Sequence, residues 1–456
     1  MTASLGARVV VAGVSSGVGK TTVATGLMAA LHGRGMKVAA AKVGPDFIDP
    51  GYHELATGRP GRNLDSWICG EAAMAGLAGR AAAGSDILII EGVMGLFDGA
   101  ADGKPEASTA SIARLLDAPV LLVIDASAMS GSVAALVHGF STFDPAVRVA
   151  GVVLNRVGSD GHELLLREAL APLGIEVVGA LRRNDAMTWR DRHLGLVPVI
   201  EQAGDVRRSL SLLADQIASQ VDLDAVLKVA QAAPPLTCPG VDRARPQGRA
   251  VVAVAAGPAF DFVYQDNLEA LTDAGAELVP FDPRHDAALP DGACGLYAGG
   301  GFPEVFAPDL ADNRALQEDL RRRVGEGLTV WAECGGLLWL ARSLDGHAMS
   351  GVIPADGHMT DRLTLGYRSA RFTSDCPLGL AGDVVRGHEF HYSTVAPLGS
   401  ALQLRSRYGE GPSGFSTPRL LASYLHLHLG SKPGPAERFV ATASGAPARV
   451  PRTMRA

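Results

Sequence analysis

Aromatic residues are scarce in this sequence, at 5% of the chain, and no block of basic residues stands out. Lys and Arg total 41 against 48 Asp and Glu, a net charge of −7. That balance argues against nucleic acid, whose binding rests on a positive footprint. No segment approaches the roughly 20 consecutive apolar residues that a membrane span needs. The apolar run Val9–Val14 meets a Gly/Ser-rich loop after six residues, too soon for a secretory signal. Cysteines number only five, Cys69, Cys238, Cys294, Cys334 and Cys376, without CxxC spacing. Neither a disulfide framework nor a zinc site is expected, and reduced thiols in a cytoplasmic setting fit better.

What is abundant is small and apolar. Gly numbers 55 and apolar residues make up 47% of 456 positions, enough for two or more α/β cores. Continuous apolar runs at Arg8–Ala12, Val38–Lys42, Ile87–Glu91, Pro119–Asp125 and Val149–Asn155 alternate with helical stretches. Such runs predict a parallel sheet covered on both faces, with ligands at the carboxyl ends of its strands. Gln231–Gly248 is rich in Pro and Gly and lacks periodicity. It suggests a linker, centred on 233–248, between a first domain (1–232) and a second (249–447). Second-domain strands are expected at Ala250–Ala255, Cys294–Ala298, Thr329–Ala332 and Leu420–Leu425. The tail from Gly430 reads as a short closing helix followed by disorder.

Gly13-Val14-Ser15-Ser16-Gly17-Val18-Gly19-Lys20-Thr21-Thr22 follows the first strand and opens a helix. Glycines let backbone N–H groups turn inward, and a helix N-terminus favours anions. ATP is the expected ligand. Gly13, Ser16, Gly17, Val18 and Gly19 would cradle phosphates, Lys20 would reach the outer ones, and Thr21 and Thr22 would complete the turn. The first Gly stands one residue earlier than the strict spacing, a form that resembles the dethiobiotin synthetase-like branch of phosphate-loop proteins.

Two acidic loops follow neighbouring strands: VGPDFIDP, with Asp46 and Asp49, and IEGVMGLFDG, with Glu91 and Asp98. Mg²⁺ is usually held by one or two carboxylates with phosphates and water, so Thr21, Asp46 and Glu91 are its expected ligands. Asp49 and Asp98 are expected to position a substrate or an intermediate, although a lone loop Asp is often a turn or helix cap. Asn155, at a later strand end, is a candidate adenine contact.

Val330-Trp331-Ala332-Glu333-Cys334-Gly335-Gly336 is a strand running into a sharp Gly turn and a helix. A cysteine on such an elbow is exposed as a nucleophile, and a helix N-terminus favours its thiolate. The upstream Gly299-Gly300-Gly301 loop offers backbone N–H groups, with Gly300 and Gly301 as the expected oxyanion hole. Downstream, SYLHLH ends a strand with His426 and His428, either of which can serve as the base. Together these resemble class I glutamine amidotransferases, whose Cys–His site releases ammonia from glutamine. Such enzymes carry a Glu two residues after the His, where this chain has His428. The resemblance therefore implies a Cys–His dyad, as in the cobyric and cobyrinic amidotransferase branch.

Further stretches sharpen the resemblance: KVGPDFIDPGYH, GRNLDSW, IEGVMGLFDG, RHLGLVP, FVYQDNLEAL, GGGFPE, GHEFHYS and SYLHLH. Their order resembles the cobyrinic and hydrogenobyrinic acid a,c-diamide synthase family from about Arg8 to Leu429. The resemblance implies two α/β domains, a phosphate-loop synthetase and a glutaminase. It implies a corrinoid and glutamine as small-molecule partners, ATP as co-substrate and Mg²⁺ as cofactor. Carboxylates would be activated as acyl phosphates. A homodimer is compatible with it. Lys42, Arg59, Arg62, Arg192 and His193 are then candidates for the substrate's carboxylates, or solvated charges. His388, Glu389 and His391 of GHEFHYS are left without a role. That string lacks the helical HExxH spacing of a zinc site.

Three alternatives remain distinct. Cobyric acid synthase has similar halves, but GPDFIDP and GHEFHYS argue against it. A partition-type ATPase switch carries an extra lysine near the loop start, where this chain has Val14, Ser15 and Ser16, and has no use for Cys334. A glutaminase half kept only for docking is the third.

Overall fold

The computed structural model describes residues 3–99, 107–183, 203–239 and 243–445. It divides into two compact units, Met1–Val241 and Asp242–Ala456.

In the first unit, seven described strands form one sheet. The order is Arg62–Leu64, Val38–Val43, Ile87–Glu91, Arg8–Gly13, Val120–Asp125, Val149–Val157 and Glu176–Arg182. All its pairings are parallel. The three inner apolar runs Arg8–Gly13, Val38–Val43 and Ile87–Glu91 are buried at every position, as a sheet covered on both faces requires. Helix Lys20–Gly33 lies on one face, with Ala203–Gln220 packed closely beside it. A Cβ on Gly26 would stand 2.6 Å from Ile217 Cγ1, so Gly26 sets that approach. Ala3–Leu5 pairs antiparallel with Leu236–Cys238, so part of the expected linker is a strand of the first unit.

Arg8 ties this unit together. Its side chain is fully buried, and its guanidinium donates to the carbonyls of Leu5, Gly6, Leu116, Asp117 and Pro234. Five N–H donors meeting five acceptors is what lets so large a cation sit inside.

The second unit has a six-stranded sheet. Ala276–Phe281, Ala250–Ala255, Ala293–Ala298, Thr329–Glu333 and Leu420–Ser423 are parallel, and Phe415–Thr417 adds an antiparallel edge. Successive strand residues point to opposite faces, and each face has its own core. Ala253, Leu296, Val330 and Ala332 join one cluster, while Val252, Val254, Tyr297 and Trp331 join the other. Tyr297 and Trp331 stack there at 4.0 Å. A second sheet is built on the long antiparallel pair Asp356–Phe372 and Val384–Ala396, to which His426–Leu427 adds. The closing helix is Gly434–Ser444. No helix among the described residues is long and apolar enough to cross a membrane.

Candidate active sites

At the carboxyl end of Arg8–Gly13 the chain turns through Val14–Gly19 into helix Lys20–Gly33. Gly17 and Gly19 have φ of 78° and 94°, a left-handed conformation that glycine adopts without strain. Ser15, Ser16 and Gly17 form an exposed crest. Lys20 folds back across it and donates from Nζ to Ser15 O at 2.9 Å. Burial, reinforced by the nearby charge of Lys42, brings the Lys20 ammonium down to about 8. Asn155 braces the loop: Nδ2 donates to Val18 O at 2.9 Å, and a Cβ on Gly19 would strike that nitrogen at 2.2 Å.

Beside the loop lies a buried ionic cluster. Val38–Val43 and Ile87–Glu91 are adjacent, and Lys42 and Glu91 are register partners. Lys42 Nζ meets Glu91 Oε1 at 2.9 Å, Asp49 Oδ2 at 2.6 Å and Gly92 O at 3.0 Å. His53 Nε2 lies 2.7 Å from Glu91 Oε2, and Thr21 Oγ1 donates to Glu91 Oε1 at 2.5 Å. Burial opposes the charge of Glu91, but Lys42 and the His53 hydrogen bond outweigh it and hold the carboxyl well below its usual range. Asp49 goes the other way, raised by burial and by the neighbouring Glu91. Asp46 caps the helix that follows it, accepting from Ile48 N and Asp49 N at 3.1 Å each. Asp98 is exposed, and its Oδ2 accepts Gly95 N–H at 2.7 Å, closing the loop.

In the second unit Cys334 ends strand Thr329–Glu333 at φ 49°, ψ −99°, a left-handed φ that a non-glycine residue holds only when its surroundings enforce it. Cys334 N donates to Ser423 O at 2.8 Å, which pins the elbow to the neighbouring strand. Only glycines fit around it. A Cβ on Gly336 would stand 2.3 Å from Ala298 O, and one on Gly335 would stand 3.0 Å from Gly301 N. His426 packs on the Gly300 turn, where a Cβ would meet His426 Cε1 at 2.5 Å and Nε2 at 3.3 Å. The antiparallel register sets His388 opposite His426, and their rings stack at 5.0 Å. His426 Nδ1 is 3.9 Å from Glu333 Oε2. His428 is held elsewhere, its Nδ1 accepting Gly430 N–H at 3.2 Å and its Nε2 lying 3.7 Å from Asp266 Oδ2.

Comparison with known proteins accords with this pair of sites. Residues 9–197 match the family described as the CobQ/CobB/MinD/ParA nucleotide binding domain. Residues 251–434 match the CobB/CobQ-like glutamine amidotransferase domain. A hydrogenobyrinate a,c-diamide synthase of Streptomyces coelicolor is 48% identical, with 95% of this chain and 96% of that protein aligned. One of Thermobifida fusca is 47% identical over 96% and 97%. A cobyrinate a,c-diamide synthase of Syntrophotalea carbinolica is 44% identical over 95% and 98%. The chain belongs to the a,c-diamide synthase family.

Within this a,c-diamide synthase family member, several expectations change. Lys42, a candidate for the substrate's carboxylates, is buried, and its ammonium is enclosed by Asp49, Glu91 and Gly92 O. Arg59 donates from Nη2 to Ala83 O at 2.7 Å, a structural bond. The Gly300 N–H donates to Phe262 O at 3.1 Å, so it is engaged within the protein and not directed at an oxyanion. The expected thiolate is not favoured in the resting site either. Burial, then the nearby Glu304, push the Cys334 thiol well up, although a Gly335 backbone hydrogen bond works the other way. Arg192, His193 and the RHLGLVP stretch lie outside the described residues. The structure adds two residues to these sites. His53 falls four positions after Asp49 on helix Ile48–Thr57, a spacing that places both on one face. Glu333, a carboxylate at the end of an apolar strand, was an anomaly visible in the sequence.

Proposed function

We propose that this chain catalyses the ATP-dependent, glutamine-hydrolysing amidation of the a and c acetate carboxylates of cobyrinic or hydrogenobyrinic acid. The observation that carries the proposal is end-to-end similarity, 48% identity over 95% of the chain, to a relative of that name. The phosphate loop and the cysteine elbow in one polypeptide support it.

In this mechanism a substrate carboxylate oxygen attacks the γ-phosphorus of ATP, ADP departs, and an acyl phosphate forms. Lys20 and the backbone N–H groups of the loop hold the phosphates in line. Asp98, exposed beside the loop, is suited to orient the substrate, and Asp49 is suited to hold Lys42. The Thr21 hydroxyl at 2.5 Å from Glu91 Oε1, with Asp46 on the adjoining loop, is a hard oxygen set suited to Mg²⁺ together with phosphate oxygens. Among the described residues no group of three or more His, Cys, Asp or Glu side chains forms a metal site of its own. Bound there, Mg²⁺ would offset the charge that moves between phosphates.

At the other site Cys334 Sγ attacks the glutamine amide carbon and His426 takes the thiol proton. Gly301, whose amide nitrogen lies beside the Gly335 turn, is the backbone donor suited to the developing oxyanion. His426 returns the proton to the leaving ammonia, and water then hydrolyses the thioester. Ammonia displaces phosphate from the activated carboxyl. The five free cysteines support a reducing, cytoplasmic setting.

The test is incubation with Mg·ATP, glutamine and either corrinoid, followed by mass spectrometry. Two successive acid-to-amide shifts are expected. In C334S they should be lost with glutamine and kept with ammonium. No mass change on either corrinoid would sink the substrate assignment.

A further inference from the structure

The position two residues beyond His426, where related glutaminases carry an acid, holds His428. The fold brings a carboxyl to His426 from another direction. Glu333 is the last residue of strand Thr329–Glu333 and the residue immediately before Cys334. Strand alternation puts it on the face of Trp331, with a side chain only 1% exposed. A carboxyl buried among Trp331, Tyr297 and Leu427 is costly unless donors surround it. Here they do. Oε1 accepts Leu427 N–H at 2.8 Å, and Oε2 accepts the Tyr297 hydroxyl at 3.0 Å. Asn267 extends the network, donating to Tyr297 Oη at 3.2 Å and Leu427 O at 2.8 Å while accepting Leu429 N–H at 2.7 Å. The carboxyl is thus fastened to the His426–Leu427 strand and to the Cys334 strand at once.

The orientation of the imidazole gives this network a use. Nδ1 faces Glu333, and the Nε2 edge lies over the Gly300 turn beside the cysteine elbow. The ring is thus held between an acid and the glycine turn that packs on the nucleophile's elbow, while Cys334 Sγ itself lies 3.8 Å from Phe390 O. The 3.9 Å separation is long, as such contacts often are before substrate binds. Burial disfavours charge on either partner alone: it pushes Glu333 up to about 8, and with His388 and His391 it pushes His426 below its ordinary value. Each is therefore charged more readily when the other is.

We infer that Glu333 is the positioning residue of the glutaminase, holding the His426 ring by its Nδ1 side so that Nε2 is turned toward the Cys334 elbow. The inference rests on the glutaminase function proposed above. The thiol proton moves to Nε2 and then to the departing ammonia, the Nδ1 proton stays in place, and Glu333 undergoes no net change. The acid of the triad is supplied by the residue preceding the nucleophile, while His428, with Asp266, buttresses the strand end.

The experiment compares wild type with E333Q, E333D and C334S as full chains. It measures steady-state glutamine hydrolysis in the presence of ATP and corrinoid, amidation from ammonium, and thermal unfolding. E333Q should lower kcat for glutamine by about 100-fold with KM changed less than about threefold, and should keep ammonium-dependent amidation. E333D, which restores a carboxylate, should recover at least about tenfold of the loss. E333Q with kcat within about threefold of wild type would overturn the inference. So would equal losses in E333Q and E333D accompanied by lost ammonium activity and a lowered Tm, the pattern of a merely structural residue. Failure of the glutaminase function itself looks different: wild type would not hydrolyse glutamine, or C334S would.

Discussion

Lys42 and Glu91 are neighbours across two parallel strands, their charged atoms 2.9 Å apart and both side chains buried. Asp49 and His53 extend the pair from helix Ile48–Thr57. Removing one member of a buried pair strands the other charge. Lys42→Met should therefore destabilise the first unit by about 3–5 kcal/mol. The double variant K42M/E91Q, which removes both charges, should regain most of that loss while remaining unable to use ATP. Urea unfolding of the three proteins decides it. If the single variant is as stable as the double, the pair is not a mutual support.

Lys20 makes a pH-dependent prediction. Its ammonium sits near 8 in the nucleotide-free loop because burial and Lys42 disfavour its charge. Phosphate binding favours the charged form. Below about 8 the lysine is already protonated, whereas above it ATP must draw a proton in. ATP affinity should fall as pH rises past 8, and titration calorimetry at pH 9 in buffers of different ionisation enthalpy should record proton uptake. K20A should abolish the uptake. A binding enthalpy independent of buffer would separate Lys20 from the phosphates.

The elements legible in the sequence are those whose signal is local. The inner strands are unbroken apolar runs, and they lie where the runs predict. Glu176–Arg182 gives no such signal because it carries charged ends and a central Gly. The strand Asp356–Phe372 mixes charged and apolar residues and is only partly buried, so it has no core signature. The sites divide in the same way. Lys20, Thr21 and Cys334 belong to short contiguous motifs. Contacts such as Lys42 with Glu91, or Glu333 with His426, join residues 49 and 93 positions apart through the packing of strands, which no local pattern specifies. Asp46 caps the helix that follows it, a bond that a lone loop Asp often makes.

Glu333 also governs stability against pH. Its carboxyl is raised from 4.5 to about 8 by burial. Between those values the unfolded chain has released the proton and the folded chain has kept it. The unfolded state binds fewer protons, so this group makes stability fall as pH rises through that window and level off above about 8. Glu304, raised by burial to about 7, acts with the same sign. The difference between wild type and E333Q isolates Glu333. In thermal melts E333Q should gain relative to wild type from pH 5 to pH 8, by a few kcal/mol at most. A constant offset across that range would show that the carboxyl is ionised in the folded protein.

The glycines around Cys334 separate the two half-reactions. At Gly301, φ is 150° and a Cβ would stand 2.2 Å from Ala259 O and 3.0 Å from Phe260 Cα. Both obstacles are backbone, so the loop itself must shift and carry its N–H away from the elbow. Gly301→Ala should reduce glutamine-dependent amidation by about 100-fold or more, the scale of a lost oxyanion donor. Ammonium-dependent amidation belongs to the other unit and should persist. Gly325→Ala is the control, since a Cβ there meets nothing within 4 Å at the end of helix Arg314–Gly325. It should leave both activities alone and match or exceed wild-type stability. If Gly301→Ala hydrolyses glutamine like the control, the Gly299–Gly301 loop is a structural turn and the oxyanion donors lie elsewhere.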